Sequence, residues 1–280
     1  RNGYAGDSFD RTDIQATQGS YGGRTGDDDQ PVNTPIIFIH GNSDAALRTS
    51  DDFSGWENSI QYFLDHGYKS SELYATTWAN ANPLEATLMT HSCEIVERLR
   101  RFLQAVKDYT GSQYVHIISH SMGVTIGRKL SKGGKIAAAD GNCNIGDPAT
   151  FVDVFVGLSG ANFGLCNCEG TAYLVEPTCN KGNGFWPGDS CGMNYLTCGL
   201  ETLPFPCNGA TAYAQYLMDL NKDFETEGRR VVSAWSDTDE LIMYHDLVWG
   251  SPTSNIPRSS DTKTKDTTAE DQYNWVNRVN

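Results

Sequence analysis

Val115–Gly123 reads VHIISHSMG. Val115, His116, Ile117 and Ile118 form a short, mostly apolar run of the kind that makes a buried strand. The run breaks at Ser119-His120-Ser121-Met122-Gly123 and continues as Val124-Thr125-Ile126-Gly127-Arg128-Lys129-Leu130, which opens like a helix. Strand, sharp turn and helix with a serine at the apex describe a nucleophile elbow. The residues two before and two after the serine pass close to one another and must be small. They are Ser119 and Gly123, so the usual first glycine is replaced.

Working outward, apolar runs and amphipathic stretches alternate. Pro35–Ile39 (PIIFI) reads as a central strand and ends in His40-Gly41-Asn42. Ser54-Gly55-Trp56-Glu57 resembles a capping box before a helical stripe of Trp56, Ile60, Phe63 and Leu64. Leu73–Ala79 has strand character. Asn82-Pro83-Leu84-Glu85 starts a long helix whose apolar face runs from Leu88 through Val96, Leu99, Phe102, Leu103 and Val106 to Gly111. Phe151–Leu158 and Arg229–Trp235 are further strands, and Tyr213, Tyr216, Leu217 and Leu220 give a short helix. This order predicts an α/β fold with a mostly parallel central sheet and helices on both faces. Thr267–Glu270 begins a last helix carrying Tyr273, Val276 and Val279.

The 280 residues suit a single domain, 1–280, with a polar N-terminal extension over 1–30 read as a surface arm or a flexible segment. A net charge of −14 and a pI near 4.7 argue against nucleic acid or anionic lipid as partner. No apolar run is long enough for a transmembrane helix. The chain begins at Arg1, as expected where a leader has been removed.

Six of the eight cysteines fall between 166 and 207, in a stretch rich in Gly, Pro and Asn. Such crowding reads as disulfides in a secreted, extracellular protein. The rival is a zinc site, but Cys166-x-Cys168 is too tight for the usual pairing and no histidine lies between 121 and 244. No metal and no cofactor is expected. Residues 163–210 are read as a disulfide-rich cap insertion over the site, because they leave the C-terminal end of a sheet strand. Phe185-Trp186-Pro187 in it faces an apolar substrate or packs locally. Asp140–Asn144 superficially resembles a calcium loop, but Ile145 and Phe151 stand where Gly and Glu are required.

A serine nucleophile needs an oxyanion hole, a base and an acid. The backbone N–H groups of Asn42, after the first strand, and of Met122, after the serine, are the expected oxyanion donors. Two acids close the Arg229–Trp235 strand, Asp237 and Asp239. Asp239, ahead of Leu241-Ile242, is the preferred orienting acid.

Pro35–Asp44 (PIIFIHGNSD), Ser119–Gly123 (SHSMG), Val231–Asp239 (VVSAWSDTD) and Thr264–Tyr273 together resemble the lipase class 2 family of α/β-hydrolases, in particular its secreted nematode members. The resemblance implies the α/β-hydrolase fold and an esterase or lipase acting on carboxylic esters, lipids among them, through an acyl-enzyme on Ser121. Asp239 would be the acid, and Asn42 and Met122 the oxyanion hole. The family's base lies in a loop before the last helix. Here that loop, Arg258–Lys263, holds no histidine, and His245 is the sole histidine after Asp239. Two expectations stand: a serine hydrolase with His245 as base, or a catalytically impaired or inactive lipase-like binding protein.

Overall fold

A computed structural model describes residues 7–14, 19–50, 53–188, 212–239 and 241–264. The expected last helix lies outside them. Among these residues the strands are β1 (Ser20–Tyr21), β2 (Ile36–Ile39), β3 (Leu73–Thr76), β4 (Val115–His120), β5 (Lys135–Ala138), β6 (Gly141–Asn144), β7 (Val152–Leu158), β8 (Arg230–Trp235), β9 (Leu247–Val248), β10 (Ser251–Pro252) and β11 (Asp261–Thr264). The α-helices are α1 (Glu57–Asp65), α2 (Cys93–Thr110), α3 (Met122–Lys132) and α4 (Gln215–Lys222).

Seven strands form one sheet in the order β1-β3-β2-β4-β7-β8-β11. From β3 to β11 every pairing is parallel. Only β1 runs antiparallel, Ser20 opposite Thr76. The four residues of β2 are all buried, as a strand covered on both faces requires. In α2 the spacing of Val96, Leu99, Phe102, Leu103 and Val106 places one stripe in the core, and Gly111 stops the helix with φ 67°.

The stretch read as one long helix from Asn82 is divided. Pro83–Leu88 forms a separate 3-10 turn, and α2 begins at Cys93. Ser92 accepts from the Ile95 N–H, while Asp140 accepts from those of Cys93 and Glu94. The first-turn donors of α2 are thereby satisfied at that point. The Cys93–Cys143 disulfide then ties α2 to the β5–β6 hairpin. The expected capping box of α1 does not form: Trp56 is the N-cap, and the Glu57 carboxylate binds Arg48 instead.

The polar N-terminal stretch contributes more than a solvated arm. Arg11 is buried and donates to the carbonyls of Thr77 and Ala79, and β1 covers the β3 edge. At the far edge, Asp261–Thr264 of the loop before the expected last helix adds β11 to β8.

Candidate active site

Ser121 sits between β4 and α3 with φ 51° and ψ −128°. A non-glycine residue there carries roughly 1–3 kcal/mol of backbone strain. The surroundings hold it: its N–H donates to Leu158 O at 2.9 Å, and its carbonyl accepts from Val124 N–H at 2.9 Å. Gly123 is obligatory by contact, since a Cβ there would run into the backbone carbonyls of Ile39 and His40. The other small position, Ser119, is fully buried, and its hydroxyl donates to Val156 O at 3.0 Å. A serine is tolerated because β7 supplies an acceptor.

The loop after β2 faces this turn. His40 is buried and stacked on Trp78, with ring centroids 5.0 Å apart and planes 8° from parallel. Trp78 N–H donates to His40 Nε2 at 3.1 Å, so Nδ1 carries the proton and donates to Gly41 O at 2.7 Å. Burial depresses the His40 pKa to about 3, which keeps the ring neutral. In a trans peptide the C=O and the following N–H point opposite ways. Holding the Gly41 carbonyl therefore also fixes the direction of the Asn42 N–H. Among the described residues no backbone carbonyl takes the N–H of Asn42 or of Met122. Met122, first residue of α3, has no intrahelical acceptor for it. The Asn42 side chain is engaged separately, donating to Ala86 O at 2.8 Å.

Asn42, Ser121 and Met122 line one cavity of about 270 Å³. Its walls include Leu165, Cys168, Thr178, Cys179 and Phe185 of the cysteine-rich segment, together with Leu241 and Ile242. The described part of that segment thus borders the serine; residues 189–211 lie outside the described set. Cys168 bonds Cys179, and Cys166 is also disulfide-bonded. Among the described residues no cysteine is free, and no group of His, Cys, Asp and Glu is arranged to hold a metal. No helix among them is long and apolar enough to cross a membrane.

Asp239 is buried after β8. Its Oδ1 accepts from Leu241 N–H at 2.9 Å and from Ile242 N–H at 2.8 Å, shaping the turn that brings both side chains to the cavity. Asp237 instead accepts from the Trp235 indole of its own strand.

His245 is exposed and makes no hydrogen bond among the described residues. It does not line the cavity, nor does any other of the six histidines. Its backbone has φ 54° and ψ 39°, and Met243, Asp246 and Trp249 also carry positive φ. Asp246, next in the chain, is 1% exposed and accepts from the N–H and hydroxyl of Ser254. Burial raises its pKa to about 8 against those hydrogen bonds, and Asp239 and Asp237 push the same way. His120, beside Ser121, and His91 are both pushed down to about 4 by burial. His91 Nδ1 donates to Asn183 O, and its Nε2 accepts from the Thr125 hydroxyl.

Sequence reasoning missed Glu176, the single acidic or basic side chain among the described residues lining the cavity. It is brought there by the Cys168–Cys179 loop, and no motif marks it. Phe185, flagged in the sequence, does line the cavity. Trp186 is instead buried beside Tyr173 under the Lys181 ammonium.

Among solved structures, the chain is similar to a monoacylglycerol lipase from Paleococcus ferrophilus: 12% identity, 90% of this chain and 88% of that one covered, TM-score 0.49. It is similar to the Pyrococcus furiosus esterase Pf2001 at 14% identity, 88% and 80% coverage and TM-score 0.47. The Bacillus licheniformis lipase BlEst2 gives 11% identity, 88% and 90% coverage and TM-score 0.46. No match was found among curated proteins. The family described as Lipase (class 2) matches residues 33–278. The parallel sheet with its strand–serine–helix turn has the α/β-hydrolase fold, and the chain belongs to the lipase class 2 family.

Proposed function

We propose that this chain is a secreted hydrolase of carboxylic esters of the lipid type, working through an acyl-enzyme on Ser121. The observation that carries this reading is the strained Ser121 on the wall of an apolar cavity shared with Asn42 and Met122. Attack by Ser121 Oγ turns the ester carbonyl oxygen into an oxyanion, and the Asn42 and Met122 N–H groups receive it without reorganising. Asp239 is the acid of the proposed triad and His245 the base. For His245 to accept the Ser121 proton, the segment from Met243 to Gly250 must turn the ring inward. Its positive-φ residues, Met243, His245, Asp246 and Trp249, make it a strained element, as the Ser121 turn is.

A second reading is favoured by a specific observation. No histidine lines the cavity, so the protein binds esters while transferring acyl groups slowly or not at all. Turnover of short-chain nitrophenyl esters separates the two. The hydrolase reading expects turnover that is lost in both Ser121→Ala and His245→Ala. Turnover indifferent to His245→Ala removes it as base, and turnover surviving Ser121→Ala removes the serine mechanism.

A further inference from the structure

Among the described residues that line the cavity, Glu176 alone is charged. Its position is fixed: its N–H donates to Ala172 O at 2.9 Å, and its carbonyl accepts from Cys179 N–H at 2.9 Å. Its Oε2 lies 3.7 Å from the disulfide sulfur of Cys179. Among the described residues no Lys, Arg or His forms an ion pair with it. The nearest cation in sequence is already engaged, because the Lys181 ammonium lies 3.9 Å from the Tyr173 ring centre and 4.2 Å from that of Trp186. Sequence reinforces the imbalance. Residues 163–210 contain Glu169, Glu176, Asp189 and Glu201 against Lys181 alone, with no Arg or His. A carboxylate with no ion-pair partner among the described residues, set in mostly apolar walls, interacts more strongly with a charge than it would in open water.

We propose that Glu176 makes this cavity selective for esters that carry an ammonium group, and that it disfavours anionic amphiphiles. This rests on reading the cavity as an ester site, and it names the substrate class of that site. The ester end meets Ser121, the acyl chain takes the apolar wall, and the ammonium group pairs with the Glu176 carboxylate. Discrimination comes as much from repulsion of a negative group as from attraction of a positive one.

The test uses two esters of the same shape, butyrylcholine and 3,3-dimethylbutyl butyrate, which differ in a quaternary nitrogen replaced by carbon. Binding to the full chain carrying Ser121→Ala is measured by calorimetry, so turnover is not needed. The cationic ester should bind on the order of tenfold more tightly. The preference should shrink to within about twofold when Glu176→Gln is added, invert with Glu176→Lys, and narrow in 0.5 M salt at roughly a 4–5 Å Debye length. Unfolding midpoints and the mass of the disulfide-linked 168–179 peptide confirm that each variant folds. Equal affinities, a preference that survives Glu176→Gln, or failure of both esters to bind overturns the proposal. Its failure is separable from that of the serine mechanism: the preference can hold in a protein that turns nothing over, and nitrophenyl ester turnover can occur without it.

Discussion

A methyl group on Gly41 would stand 3.0 Å from the Cβ of Ser121, 3.1 Å from His120 Nδ1 and 3.5 Å from Ser121 Oγ. The two loops touch with no atom to spare, so Gly41→Ala must displace either the serine or the peptide bearing the Asn42 N–H. The shift needed is a few tenths of an ångström; since a displacement near 1 Å costs on the order of 10²-fold in rate, one of this size costs about tenfold or less. The variant should react with acylating reagents about that much more slowly at Ser121 while keeping its unfolding midpoint within a few degrees. An unchanged rate would show that the contact has slack.

Gly123 differs in kind, because an added methyl meets backbone carbonyls of Ile39 and His40 rather than a movable side chain. Gly123→Ala should therefore lower stability itself, by about 2–3 kcal/mol in urea unfolding. Loss of reactivity at full stability would contradict this.

Stability should peak near pH 6.5. His40, His91 and His120 have folded pKa values near 3, 4 and 4, all below the ordinary 6.5. The unfolded chain binds their protons first, so their contribution is present above pH 6.5 and is lost as pH falls toward 3–4. Asp246 has the opposite sign. Its folded pKa near 8 lies above the ordinary 3.8, so its contribution is full at acid pH and is lost as pH rises through 8. Of these four groups it alone slopes between pH 6.5 and 8. Asp246→Asn should flatten the fall in thermal midpoint across that window and steepen the acid limb between pH 3.8 and 6.5, where Asp246 opposes the histidines. A fall of the same size in the variant would place its cause elsewhere.

The Cys168–Cys179 bond closes a loop that supplies Glu176, Thr178 and Cys179 to the cavity wall. Replacing both cysteines by serine should weaken ester binding several-fold, since a loop of 11 residues regains freedom worth about 2–3 kcal/mol. The sheet, formed by other residues, should keep its cooperative unfolding. Unaltered binding would mean that the wall holds without the bridge.

The fold was legible where residues carry a repeating physical signal. The apolar runs of β2, β4, β7 and β8 and the stripe of α2 are such signals, because burial on two faces or on one stripe leaves a pattern in the chain. β11 left none. Asp261-Thr262-Lys263-Thr264 is polar and mostly exposed, and it pairs by backbone hydrogen bonds at a sheet edge. The break before Cys93 was hidden too, since apolar spacing runs on across it and the deciding group, Asp140, lies 47 residues away. Ser121, Asn42 and Met122 could be named from local motifs and share one cavity. Glu176 was invisible because its place depends on a disulfide. The solvent-facing ring of His245 follows from backbone turns that its neighbours' identities do not announce.

Nucleophilicity of Ser121 is the property on which the proposed function depends. Its most direct test is treatment of the folded chain with a fluorophosphonate, followed by intact-mass measurement and peptide mapping. A single adduct is expected, mapped to Ser121 and absent from Ser121→Ala. No adduct on the folded protein, or an adduct on any other residue, would contradict it.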